Sequence, residues 1–147
     1  MSQRPRIPYP KLAPKAFRAM LALAESLRES RLGPGLSGLV KMRVSQINGC
    51  AYCLDMHARE LREAGEEQRR LDTLAGWRES RLFDARERAA LGWAESLTRI
   101  ETSGAADADY APLLEHFDET AIAELTFLAV EINGWNRLAV GLRTPLP

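Results

Sequence analysis

The segment Val40-Lys41-Met42-Arg43-Val44-Ser45-Gln46-Ile47-Asn48-Gly49-Cys50-Ala51-Tyr52-Cys53-Leu54-Asp55-Met56-His57 decides how the rest of the chain is read. Leu39, Val40, Val44 and Ile47 recur at helical spacing, which predicts a helix over residues 36–47. Asn48-Gly49 is a helix stop, because glycine takes the left-handed conformation that ends a helix without a steric penalty. A second helix is expected from near Cys50 to near Gly65. The segment is therefore two helices joined by a tight turn, with cysteines opening the second.

Working outward, the same logic extends to both ends. Phe17, Met20, Leu21, Leu23, Ala24 and Leu27 give an apolar face to a helix over residues 14–29. Gly33-Pro34-Gly35 breaks the chain. A short helix is expected over residues 66–74, then a loop carrying Trp77, Leu82 and Phe83. Asp84 and Glu87 have the spacing of a capping box that opens a long helix to about Glu101, with Ala89, Ala90, Trp93, Leu97 and Ile100 facing inward. A short helix over residues 110–117 follows. Asp118 or Thr120 caps a last long helix to about Leu142, and Pro145 stops it. No stretch alternates in the manner of a strand. The expected fold is an all-α bundle of six to seven helices, one domain over residues 1–147 with its core at about 14–143.

Composition narrows the function classes. At 147 residues the chain suits one domain. Apolar residues at 46% and charged residues at 27% belong to an ordinary globular protein with a core. Twenty basic residues balance twenty acidic ones, so no global field draws the chain to nucleic acid or to an anionic membrane. No apolar run reaches the roughly 18 residues of a membrane span. The start, Met1-Ser2-Gln3-Arg4-Pro5-Arg6-Ile7-Pro8-Tyr9-Pro10, lacks the apolar stretch of a secretory leader. The expected location is the cytoplasm, a reducing compartment in which two cysteines three apart read as chemistry and not as a staple.

In a helix of about 100° per residue, Cys50, Cys53 and His57 share one face, and Cys53 and His57 are neighbours one turn apart. A thiolate is the reactive form of cysteine, and a helix N-terminus favours it. His57 can take a proton from Cys53 or stabilise its anion. A sulfenic acid formed on Cys53 is open to attack by Cys50, which closes a disulfide that an external dithiol must reopen. The same three side chains are also good zinc ligands, but a structural site takes four, and the other histidine, His116, sits where it caps or packs. Tyr52, between the two cysteines, either hydrogen-bonds a substrate oxygen or serves as an interface aromatic. The three tryptophans read as core or subunit-contact residues, and Arg137 as the partner of a carboxylate in the core or across a subunit boundary. Ile47-Asn48-Gly49 recurs as Ile132-Asn133-Gly134, which raises the question of an internal duplication.

Residues 40–57 together with Trp77-Arg78-Glu79-Ser80, residues 87–95 and residues 132–137 resemble the carboxymuconolactone decarboxylase superfamily, in its alkylhydroperoxidase AhpD-like branch. The resemblance implies an all-helical homo-oligomer, a trimer or a hexamer. It implies a thiol-dependent peroxidase that reduces hydroperoxides through a Cys50–Cys53 disulfide. Cys53 is then the attacking thiol, Cys50 the resolving thiol and His57 part of the proton relay. It calls for no cofactor and no metal. The partners implied are a hydroperoxide substrate and a dithiol reductant such as a lipoyl- or thioredoxin-type protein.

The chain departs from the pattern at one position. Where the best-studied AhpD proteins carry a relay glutamate, twelve residues before the first motif cysteine, this chain has Gly38. Glu131 on the last helix either reaches the site or acts as a capping or interface carboxylate. The gap at Gly38 motivates the alternative of a redox-sensing or scaffold oligomer with little turnover, in which a glutamate placed at position 38 would restore activity. A third reading is a zinc-binding helical module with ligands shared between subunits.

Overall fold

The apolar spacing of the chain is realised as helix throughout: among the described residues, 4–147 of a computed structural model, there are helices and no strands. Met1-Ser2-Gln3, the start of the segment read for a leader, lies outside the described residues. The helices are α1 (Tyr9–Leu12), α2 (Pro14–Ser26), α3 (Pro34–Asn48), α4 (Ala51–Glu63), α5 (Gln68–Thr73), α6 (Ala85–Thr98), α7 (Ile100–Ser103), α8 (Asp107–Tyr110) and α9 (Glu119–Gly141). Short 3₁₀ turns follow α5 at Leu74–Gly76 and α8 at Ala111–Glu115. No helix among them is long and apolar enough to cross a membrane.

α3 is the hub, packing on α4, α6 and α9. Its Leu39, Val40 and Val44 are fully buried and meet Leu91 of α6 and Leu125, Leu128 and Ile132 of α9 in one apolar core. A second set of contacts on α3 and α9 is polar. Asn48 Nδ2 donates to Asn133 Oδ1 and to Asn136 Oδ1, both at 2.9 Å. Asn136 Nδ2 donates to Ser45 Oγ at 3.0 Å, and Asn133 Nδ2 to Thr98 Oγ1 at 3.0 Å. Amides placed this way, Asn136 buried and Asn48 and Asn133 half-buried, fix the axial register of α3, α6 and α9, since sliding one helix would leave several polar groups unpaired.

The capping box at α6 forms as expected: Asp84 accepts from the Glu87 N–H at 2.8 Å and Glu87 accepts from the Asp84 N–H at 3.0 Å. Asp118, not Thr120, caps α9. Four expectations change. α6 ends at Thr98, one turn early, so Ile100 falls on a new helix axis and is 54% exposed. The Ile-Asn-Gly echo is not a structural duplicate: Gly49 ends α3 with φ 64°, whereas Gly134 lies inside α9. Arg137 is exposed, so its expected carboxylate partner is not in the core; among the described residues it donates to the Asn133 carbonyl and side chain. The apolar face of α2 carries no buried residue within the helix. Instead of entering the core, part of that face walls a cavity.

Candidate functional site

The turn between α3 and α4 places the sulfurs. Gly49 takes the left-handed conformation, and the Cys50 N–H returns to the Ser45 carbonyl at 3.0 Å, so α3 ends and α4 starts within one residue. Cys50 is the N-cap of α4, and its Sγ accepts the Cys53 N–H at 3.3 Å. The two residues are joined as a disulfide with Cα atoms 5.4 Å apart. Both are buried, packed against Ala139 of α9 and flanked by Tyr52.

A cavity of about 930 Å³ opens beside this pair. Cys53 and His57 lie in its wall, and Cys50 does not. Tyr52 and Met56 of α4 flank them. The far wall is apolar: Ile7, Pro8 and Tyr9 from the N-terminal arm, Phe17 and Leu21 from α2, and Leu142 and Pro145 from the C-terminal tail. The arm is held to the tail by Arg6, whose N–H donates to the Leu142 carbonyl at 2.9 Å and whose guanidinium donates to that of Gly141 at 3.0 Å. Tyr9, Phe17 and Trp135 form a run of edge-to-face aromatic contacts along this wall.

His57 is buried, and its Nδ1 lies 3.0 Å from Glu60 Oε2. An ionised carboxylate accepts only, so Nδ1 carries the proton in this pair and Nε2 is left as the basic nitrogen. Burial, with a smaller push from the Lys41 ammonium, lowers the His57 pKa; the Glu60 hydrogen bond acts in the opposite sense. A neutral imidazole is therefore the resting form at neutral pH. Cys53, His57 and Glu60 follow at i, i+4 and i+7 along one helix.

Further charged residues line the wall: Lys41 of α3 and Glu131 of α9, from helices distant in sequence, and Glu25 and Arg28. Glu131 is 3% exposed. Its Oε1 accepts from Trp135 Nε1 at 2.9 Å, and its Oε2 lies 4.0 Å from Lys41 Nζ with no hydrogen-bond partner among the described residues. Burial raises the Glu131 pKa, against the pull of Lys41 and Trp135. Of the two roles open to Glu131 in the sequence, the fold gives it a place in the cavity wall. Glu60 and Lys41 were missed as site residues. The His57-x-x-Glu60 spacing was a local signal for the first; nothing local marked the second.

Gly38 is not in the cavity wall. A Cβ built there would come within 2.9 Å of Leu61 Cγ, so this position carries the close approach of α3 and α4, and any side chain placed here has to displace the buried Leu61 side chain. Among the described residues no group of three or more His, Cys, Asp or Glu is arranged to hold a metal ion.

The sequence profile of the carboxymuconolactone decarboxylase family matches residues 14–96, which span α2 to α6 and include both cysteines and His57. The chain belongs to this family. It is 34% identical over 142 residues to the uncharacterised protein YdfG of Bacillus subtilis, covering 97% of this chain and 95% of that one. Among solved structures it superposes with a TM-score of 0.94 and 40% identity on ATU0492 of Agrobacterium tumefaciens, a protein of unknown function described as a candidate AhpD antioxidant-defence protein. That match covers 98% of this chain and 99% of the other. The debrominase Bmp8 shares the fold at a TM-score of 0.82, covering 91% of this chain and 72% of its own, but at 17% identity the likeness concerns fold alone.

Proposed function

We propose that the protein is a thiol-dependent peroxidase of the alkylhydroperoxidase type, with Cys53 as the attacking thiol. One observation carries this reading: Cys53 and His57 open on the same largely apolar cavity, while Cys50 stands out of the wall and within bonding reach of Cys53. In the reduced protein His57 Nε2 takes the Cys53 proton, and the N-terminus of α4 favours the resulting thiolate. The thiolate attacks the terminal peroxide oxygen; a sulfur–oxygen bond forms, the oxygen–oxygen bond breaks and the alcohol departs. Cys50 then displaces water from the sulfenic acid to give the disulfide. An external dithiol reduces it by exchange. The apolar wall from α2 and the N-terminal arm suits the organic group of an alkyl or aryl hydroperoxide.

The same reading includes self-association. α9 buries Leu128 and Ile132 but leaves Phe127 and Val130 more than half exposed on its other side. A second copy of the chain is the expected cover, and light scattering that reports a monomer would contradict it.

The function is tested by following consumption of cumene hydroperoxide with a dithiol such as dihydrolipoamide, and by repeating the assay with Cys53→Ser. Turnover that depends on Cys53 supports the reading. A disulfide that forms with peroxide but cycles no faster than free dithiol consumes peroxide would identify a redox sensor in its place.

A further inference from the structure

Glu131 is a buried carboxyl with one oxygen held and the other aimed at nothing. Trp135, one turn further along α9, fixes Oε1 at 2.9 Å and so sets the orientation of the group. Oε2 has no hydrogen-bond partner among the described residues, and Lys41 Nζ at 4.0 Å is beyond hydrogen-bond reach. A buried polar atom left in this way costs free energy unless something else in the site pairs with it. Here the site is the cavity that also exposes Cys53 and His57. The other charged groups in its wall are Lys41, Glu60, Glu25 and Arg28, beside the His57 imidazole and the Tyr9 and Tyr52 phenols.

We propose that Glu131 is the catalytic acid of the peroxidase reaction, its Oε2 hydroxyl donating to the peroxide oxygen that carries the organic group and protonating it as it leaves. This rests on the peroxidase reading and deepens it. His57 Nε2 takes the Cys53 proton, and a separate acid in the cavity wall lets the alkoxide be protonated without drawing that proton back from beside the thiolate. In the balanced step, Cys53 thiolate, hydroperoxide and the Glu131 carboxylic acid give Cys53 sulfenic acid, alcohol and the Glu131 carboxylate. Sulfur is oxidised by two electrons and the peroxide is reduced by two. The carboxylate formed lies beside Lys41, and it regains its proton from the His57 imidazolium; the two protons of the external dithiol pass to Cys50 and Cys53 when the disulfide reopens. The carboxylate absent at position 38 is thus supplied from another helix.

The test exploits leaving groups. A tert-butyl alkoxide is a strong base and needs protonation as it departs, whereas the acetate that leaves peracetic acid does not. Pre-reduced wild-type protein and Glu131→Gln are mixed with each oxidant in a stopped-flow experiment that reads the first oxidation of Cys53. Glu131→Gln should lose roughly a hundredfold or more with tert-butyl hydroperoxide and change little with peracetic acid. Glu131→Asp, which keeps an acid, should retain part of the tert-butyl rate. Unequal loss is a result that damage to the fold would not give, because the peracid rate reports an intact Cys53 in the same sample. Parallel loss with both oxidants, or no loss with either, overturns the acid role while leaving the peroxidase reading in place. A wild-type protein inert to both oxidants overturns that reading and the acid role with it.

Discussion

Gly38 of α3 lies against Leu61 of α4 so closely that a Cβ at position 38 would come within 2.9 Å of Leu61 Cγ. Leu61 is buried, and its side chain belongs to the central core. The contact brings together the two helices whose junction holds the cysteines, so it bears on the position of α4 as well as on stability. Gly38→Glu should therefore destabilise the protein, by roughly 1–3 kcal/mol or more for overpacking. It should give no gain in peroxide turnover. Urea unfolding together with the hydroperoxide assay checks both parts; a more active and equally stable variant would show that the helices part without cost.

Cys53, and not Cys50, should be the first sulfur oxidised, because only Cys53 lies in the cavity wall. In Cys50→Ser protein a sulfenic acid should accumulate on Cys53 and be captured by a dimedone-type reagent. In Cys53→Ser protein the reagent should capture nothing at comparable peroxide. Peptide mass mapping reads the outcome, and an adduct on Cys50 would reverse the assignment.

The pairing of His57 with Glu60 predicts a smaller effect. Glu60→Gln removes the ionised acceptor that fixes the imidazole tautomer. Because the Glu60 side chain is 62% exposed, the loss in the rate of Cys53 oxidation should be modest, roughly three- to tenfold. His57→Ala should lose more, since it removes the base itself. Equal rates for Glu60→Gln and wild type would mean that the tautomer is set by burial alone.

Acid stability should depend on Glu95, which lies far from the cysteines in sequence and outside the cavity wall. Burial on its own would raise its pKa, but hydrogen bonds from Arg78, Arg43 and Trp77 together hold it below the usual glutamate value. A depressed native pKa means that the unfolded chain binds the proton more readily. The stabilisation is therefore complete above the unfolded value and is lost as the pH falls through the native one. Glu131 has the opposite sign: its pKa is raised, so its contribution falls as the pH climbs above the ordinary glutamate range. Urea midpoints across pH should show Glu95→Gln with a flattened acid limb and a cost of roughly 3 kcal/mol near neutrality, since Arg43 would be left without its charge partner. Glu131→Gln should remove a decline on the alkaline side. An unchanged acid limb in Glu95→Gln would show that other carboxylates govern it.

What the sequence determined by itself was local. The spacing of Leu39, Val40 and Val44 specified α3, Asn48-Gly49 its end, and Asp84 with Glu87 the start of α6, because each depends on groups within about one helical turn. The common face of Cys50, Cys53 and His57 was legible for the same reason, and the matching Glu60 was within that reach. Tertiary structure alone decided the rest. Glu131 and Lys41 join the site because α9 and α3 pack side by side, a contact between positions ninety apart that no periodicity encodes. Gly38 reads in sequence as a missing acid and in space as the close approach of two helices. Phe17 and Leu21 have the spacing of core residues but wall a cavity, since a helical pattern fixes which side chains share a face and not what that face will meet.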